Sequence, residues 1–235
     1  MSLDVRLGLC GFTIGAGEYV RRYRVVEVQQ TFYEPPADAV MARWRRSAPP
    51  GFEFTLKAWQ LITHENGSPT YRRMRAPMPS SPVGAFRLND ATLAAWTRTL
   101  ECVALLRATA VLLQCPASFK PTGENLERMR AFLGTVDRPV RVLFEPRGRP
   151  WTPEVAGPIC AELDLVHVVD PFVHATATPE QTYYRLHGTT GARHVYTDEE
   201  LRRLRTMLPA SGVAYVMFNN IPRVVDAERF RSLLK

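Results

Sequence analysis

Eight short strand-like runs, set apart by segments of helical spacing, leave this chain few ways to fold. The runs cover 5–12, 25–32, 52–59, 109–116, 140–147, 165–172, 182–188 and 213–220. Each is rich in β-branched, aromatic or leucine side chains and ends near glycine, proline or a polar residue. Helical spacing is clear at 38–47, where Val40, Met41 and Trp44 share a face, and at 90–107, where Leu93, Trp96, Leu100, Val103 and Leu106 do. It recurs at 125–133, at 198–208 behind the helix start Thr197-Asp198-Glu199-Glu200, and at 230–234. Eight units in 235 residues give about 29 residues each, close to the ~30 of a βαβ element. That spacing selects a doubly wound sheet or a barrel. Gly8-Leu9-Cys10-Gly11-Phe12 lacks the G-x-G-x-x-G spacing of a dinucleotide turn. The expectation is an α/β chain forming a (β/α)8 TIM-type barrel. Only 173–181 separates the sixth and seventh runs, too short for a full helix, so an irregular connection is expected there.

No linker interrupts the pattern, and a single domain over 1–235 is expected. One long irregular stretch, 65–89, carries Pro69, Pro77, Pro79 and Pro82. Following the third strand, it would hang over the catalytic rim as a lid loop. The apolar content of 46% with 10% aromatics excludes a disordered chain. No apolar run approaches the ~20 residues of a membrane span, and the first residues pass straight into a strand without a signal-peptide core. A cytoplasmic protein without membrane contact is expected. Cys10, Cys102, Cys115 and Cys160 form no C-x-x-C pair and read as reduced, buried thiols. A net charge of +7 favours acidic partners, though charge alone speaks to association more than to mechanism.

The placement of polar residues inside the strands carries the functional signal. Side chains alternate faces with period 2. In the second run Glu27, Gln29 and Thr31 oppose Val26, Val28 and Gln30. Thr55 and Lys57 share a face of the third run, Glu145 and Arg147 of the fifth, and Tyr183, Arg185 and His187 of the seventh. Gln114, Asp170, Asn219 and Asn220 come late in the fourth, sixth and eighth. In a barrel these faces point inward and converge at the C-terminal mouth, where active sites are built. The competing reading is a set of buried ion pairs, Glu27 with Lys57 and Glu145 with Arg147, that only fill the lumen. Burying that many charges costs several kcal/mol each unless they are well paired, which favours a functional mouth. His167 has the opposite parity and reads as a packed histidine.

Several segments together resemble one known family. Gly8-Leu9-Cys10-Gly11-Phe12, Val26-Glu27-Val28-Gln29-Gln30-Thr31-Phe32-Tyr33 and Phe54-Thr55-Leu56-Lys57-Ala58 match its first three strands. Ile62-Thr63-His64, Leu113-Gln114-Cys115-Pro116, Tyr184-Arg185-Leu186-His187-Gly188, Tyr196-Thr197-Asp198-Glu199-Glu200-Leu201 and Phe218-Asn219-Asn220 continue the order. The chain resembles the YecE-like family, domain of unknown function 72, from Gly8 to about Asn220. The resemblance implies a TIM-type barrel and no particular activity. Glu27, Lys57, His64, Gln114, Glu145, Arg147, Arg185, His187, Tyr196 and Asn219 match the family positions. Three places depart from its pattern. Cys10 and Phe12 replace the serine and tryptophan of G-T-S-G-W, Glu145-Pro146-Arg147-Gly148 lacks the histidine of E-F-R-H, and Ile221-Pro222-Arg223-Val224 replaces D-x-x-G/A.

Roles follow from chemistry. Glu27, Lys57, Glu145 and His187 are the candidate catalytic residues, as groups able to move protons or, for Lys57, to form an imine. An ion-pair partner is the plainer role for Lys57. Arg147 and Arg185 suit bidentate capture of phosphate or carboxylate. His64, Gln114, Asp170, Asn219 and Asn220 complete the ligand-contacting set, with Tyr196 either contacting ligand or anchoring the next helix. Glu27, Glu145, Asp170 and His187 are metal-ligand types, but Lys57, Arg147 and Arg185 would repel a divalent cation at the same mouth, so no cofactor is expected and a divalent metal is kept only as the lesser alternative. The expected function is an enzyme, with hydrolase, lyase or isomerase chemistry on a small anionic ligand. The alternative is a nucleic-acid-binding or nucleic-acid-processing protein using Arg21-Arg22-Tyr23-Arg24, Arg43-Trp44-Arg45-Arg46, Tyr71-Arg72-Arg73-Met74-Arg75 and Arg202-Arg203-Leu204-Arg205. A non-catalytic scaffold is a third reading, and oligomeric state is left open.

Overall fold

The short runs pair in parallel and in chain order, and the eighth returns to the first. A computed structural model describes residues 2–234. β1 (Leu3–Cys10), β2 (Val25–Val28), β3 (Glu53–Lys57), β4 (Ala110–Gln114), β5 (Arg141–Glu145), β6 (Val166–Val169), β7 (Thr182–Leu186) and β8 (Gly212–Phe218) close into one barrel. This is the (β/α)8 TIM-type barrel that the eight-unit spacing predicts. Parallel strands bury both faces, and two apolar layers result. Cys10, Val25, Ala110, Leu112, Leu143, Val166, Val168, Tyr183, Tyr215 and Met217 fill the lumen, while a larger cluster packs the outer strand faces against the helices.

The helices are α1 (Ala16–Arg22), α2 (Gln30–Tyr33), α3 (Asp38–Ser47), α4 (Asp90–Leu106), α5 (Gly123–Thr135), α6 (Pro153–Leu163), α7 (Asp198–Thr206) and α8 (Arg223–Leu233). Capping boxes start two of them, Asn89 with Thr92 on α4 and Thr197 with Glu200 on α7, each satisfying two otherwise orphaned backbone donors. α8 begins seven residues before the expected 230. The amphipathic pattern singles out neither α1, short with Gly17 inside, nor α6, interrupted by Pro158. β2 stops early. The chain coils into α2 at Gln30, so Thr31 leaves the lumen face, and its hydroxyl donates to the Lys57 carbonyl at 2.7 Å and the Val28 carbonyl at 3.2 Å.

No helix joins β6 to β7 among the described residues. Turns over 170–181 cover β6 instead, using His167 as their anchor. Its Nδ1 accepts from the Ala177 amide at 3.0 Å, and its own amide donates to the Thr178 hydroxyl at 3.0 Å. Burial, with the nearby His174 adding to it, pushes the His167 imidazole down to about 4. The segment 65–89 contains a 3-10 turn at Pro69–Arg73 and is clamped at its neck. The amides of Gly84, Ala85 and Phe86 donate to the carbonyls of Leu61, Thr63 and Ile62 at 2.8, 3.2 and 2.9 Å. Those three residues are left-handed in succession, with φ of 84°, 48° and 55°. Phe86 offsets that strain by burying its ring against Phe119 and Phe132. All four cysteines are free and buried, and no helix among the described residues is long and apolar enough to cross a membrane.

Candidate active site at the barrel mouth

The floor of the mouth is a buried ion-pair network centred on Arg185.

 Arg185 is the penultimate residue of β7 (TYYRL) and points inward, as its parity with Tyr183 requires. Its guanidinium spans the lumen. Nη2 donates to Glu27 Oε1 on β2 at 2.9 Å, Nε to the same oxygen at 3.2 Å, and Nη1 to Glu145 Oε2 on β5 at 2.5 Å. The Tyr183 hydroxyl donates to Glu27 Oε2 at 2.9 Å, and the Gln29 amide donates to Glu27 Oε1. Glu27 and Arg185 are sealed from solvent at 0% exposure. Burial alone would raise the Glu145 carboxyl, but Arg185, His187 and Arg147 hold it well below the usual carboxylate range.

Lys57 is beside this network rather than in it. Its Nζ donates to Gln114 Oε1 and lies 3.6 Å from the centre of the Phe32 ring. No ion pair joins it to Glu27 among the described residues; Arg185 takes both carboxylates instead. Burial, reinforced by the positive Arg185 and opposed by Glu145 and Glu27, pushes the Lys57 amine from 10.5 down to about 7. The unfolded chain therefore keeps this proton to higher pH than the folded one, and folding gains stability as pH climbs from about 7 towards 10.5. Lys57→Met removes that titration. Its stability relative to wild type should fall by about 2 kcal/mol between pH 7 and pH 9 in urea unfolding. A pH-independent difference would show that the amine is not held in its neutral form.

Above the floor the network reaches water. Glu145 Oε1 lies 2.8 Å from His187 Nε2, and the Asn219 amide Nδ2 lies 3.0 Å from His187 Nδ1. An amide N–H only donates, so Nδ1 carries the lone pair and the neutral ring keeps its proton on Nε2, facing Glu145. Asp170 fixes the backbone: its Oδ2 accepts from the His187 amide at 2.8 Å and its Oδ1 from the Phe172 amide at 3.1 Å. Burial raises the Asp170 carboxyl, outweighing those two hydrogen bonds. Glu145, Arg147, Trp151, Asp170, His174 and His187 help to line a cleft of about 480 Å³. The Arg147 side chain is 46% exposed and approaches Glu145 only to 3.9 Å.

The predicted residues therefore sort into layers. Glu145, Arg147, Asp170 and His187 line the cleft, Asn219 lines a neighbouring one, and Glu27, Lys57, Gln114 and Arg185 lie buried beneath. The walls hold the remaining three. His64 is buried with its Nδ1 2.9 Å from the Thr63 hydroxyl, and burial with the nearby Lys57 pushes it down to about 4. Tyr196 is an anchor: its hydroxyl accepts from the Gly188 amide at 2.9 Å. Asn220 donates to Asp226 Oδ2 at 2.6 Å and to the His194 carbonyl at 2.9 Å, tying β8 to α8. Tyr183 and Trp151 are additions to the set. The strand parity already carried Tyr183, whereas Trp151 lies in a loop that no periodicity marks. Among the described residues, no three His, Cys, Asp or Glu side chains are grouped as metal ligands.

Fold and site together define a TIM barrel with a charged, proton-bearing mouth. A family model described as "Protein of unknown function DUF72" matches residues 17–235, and the chain belongs to that family. A DUF72 family protein from Enterococcus faecalis is 22% identical, with 100% of this chain and 98% of that one covered at a TM-score of 0.73. One from Thermotoga maritima is 20% identical, with 98% of each chain covered at a TM-score of 0.74. Endonuclease IV from Thermus thermophilus shares the barrel at 13% identity and a TM-score of 0.54, covering 100% of this chain and 99% of that one. No curated protein matches the chain's sequence.

Proposed function

We propose that the protein is an enzyme that moves a proton on a small anionic ligand, bearing phosphate or carboxylate, at the C-terminal mouth of the barrel. The observation that carries this reading is the Glu145–His187–Asn219 chain opening into a cleft beside the exposed Arg147. The ionised Glu145 accepts a hydrogen bond from the Nε2–H and so leaves Nδ1 as the basic nitrogen. A ligand that displaces the Asn219 amide meets that lone pair. Nδ1 then takes a proton from the ligand, and Glu145 stabilises the imidazolium that forms. Arg147 supplies a fork of donors for the anionic group. Glu27, Arg185 and Lys57 act as positioning residues, because they are buried beneath the cleft and Arg185 holds Glu145 in place. Proton transfer of this kind serves hydrolases, lyases and isomerases alike.

The test is a thermal-shift panel of phosphorylated and carboxylated metabolites, followed by mass spectrometry of each stabilising compound after incubation. A ligand at 100 times its Kd stabilises the fold by about 2.7 kcal/mol. Arg147→Ala should weaken binding at least tenfold, while His187→Asn should bind and no longer convert the ligand. Wild-type binding and conversion in both variants would refute the assignment. A second reading, nucleic-acid binding, is favoured by one observation: exposed Arg72, Arg73 and Arg75 stand together near the mouth, with Arg73 stacked 3.7 Å from the Tyr33 ring centre. It predicts oligonucleotide affinity that falls steeply with salt.

A further inference from the structure

The two clefts of the mouth share a wall. Asn219, hydrogen-bonded to His187, also lines a second cleft of about 290 Å³ formed by the ends of β1, β2 and β8 with the 65–89 segment. Two guanidiniums face it. Arg223 donates from Nη1 to the Cys10 carbonyl at 3.1 Å, while its buried Nε has no partner. Arg73 lies over the Tyr33 ring. Neither forms an ion pair with a described carboxylate. Glu34, which lines an adjoining cleft with Arg73, already accepts from the amides of Arg75 and Ala76. Like charges facing one concavity repel, and an anion bound between them removes that repulsion.

Two of the three places that depart from the family pattern converge here too. Cys10, Phe12 and Arg223, far apart in the chain, all line this cleft. The carbonyl of one departure, Cys10, holds the side chain of another, Arg223. Loops after the last strands of such barrels are also where phosphate groups are commonly seated.

We propose that this second cleft seats the phosphate of a phosphomonoester between Arg73 and Arg223, with the rest of the ligand crossing Asn219 to reach His187. This deepens the function proposed above and rests on it for the reacting end of the ligand, whose carboxylate, separate from the phosphate and missing from inorganic phosphate, is the group that Arg147 takes. A phosphomonoester carries about −1.5 to −2 charges at pH 7, which matches two uncompensated arginines better than a single carboxylate does. Arrival of the ligand at Asn219 would release Nδ1 of His187, so that binding of the phosphate and exposure of the base are coupled.

Inorganic phosphate is the probe, titrated calorimetrically at constant ionic strength into wild type, Arg73→Gln, Arg223→Gln and Arg147→Ala. Arg73→Gln and Arg223→Gln should each weaken phosphate binding at least tenfold, and Arg147→Ala less than threefold. Arg73 is exposed, so its variant decides the matter if Arg223→Gln fails to fold. Phosphate binding that both glutamine variants leave intact overturns the proposal. Binding lost only in Arg147→Ala also overturns it, yet leaves the first cleft as the anion site and the proposed function standing. A short single-stranded oligonucleotide that displaces phosphate from wild type but not from Arg73→Gln would overturn the monoester assignment in favour of a nucleic-acid backbone.

Discussion

Arg185→Met is expected to lose at least about 3–5 kcal/mol of unfolding free energy at pH 7.5, the range for breaking a buried ion pair by removing one partner. Two carboxylates, Glu27 and Glu145, would be left in the lumen without their counter-charge. The pH dependence has a definite sign. Without Arg185 the buried carboxyls hold their protons above the unfolded range, so the variant regains stability as pH falls. In the wild type, Glu145 is held below that range, and its contribution is lost on acidification. The gap between the two proteins should therefore narrow from pH 7.5 to pH 5 in denaturant titrations. Adding Glu27→Gln and Glu145→Gln to the variant should restore part of the loss, since replacing a whole buried network costs less than breaking it. A loss below 1 kcal/mol for Arg185→Met alone would mean that the guanidinium does not hold the mouth together.

Gly84→Ala carries the second large effect. A Cβ at this position would lie 2.2 Å from the carbonyl carbon and oxygen of His64 and 2.3 Å from the Glu65 nitrogen, with φ at +84°. Those are backbone atoms, so no side-chain rotation relieves the clash, and the pairing of 84–86 with 61–63 must open. A loss of about 3 kcal/mol or more is expected, combining the left-handed strain with the disrupted neck. Gly67→Ala is the internal control. It has a similar φ of +87° but nothing within 4 Å of the added atom, so strain alone should cost about 1 kcal/mol. Equal midpoints for the two variants in guanidinium unfolding would refute the close approach at Gly84.

The architecture was legible because period-2 runs and their spacing are local properties. The boundaries that failed are those that tertiary contacts decide. Gln30-Thr31-Phe32 reads as strand from its aromatic and β-branched content, yet it coils because the Thr31 hydroxyl finds the ends of both β2 and β3. Strand parity brought Glu27, Lys57, Glu145, Arg185 and His187 to one side of the barrel wall. It could not say which charges pair. That depends on the stagger between strands, which places Arg185 between the two glutamates and leaves Lys57 to Gln114. Depth was illegible for the same reason. The expected common solvent-reachable hollow is split: Glu145 and His187 line the cleft, while Glu27, Lys57 and Arg185 lie under it. Arg223 left a faint trace, as part of a segment that breaks the family pattern, but nothing local tied it to Cys10.

The helix-free connection from β6 to β7 gives this barrel one place where length can change cheaply. Its fixed points are Asp170 at one end and Thr176 to Thr178, fastened to His167, at the other. Val173 and Ala175 between them are exposed, and Val173 and His174 form part of the cleft lining. Each doubling of a flexible loop adds only about 0.6 kcal/mol of closure entropy. Residues spliced in beside Ala175 would therefore remodel one bank of the cleft while every helix-to-sheet contact stays as it is, which makes this connection the natural graft point for altering what the mouth accepts.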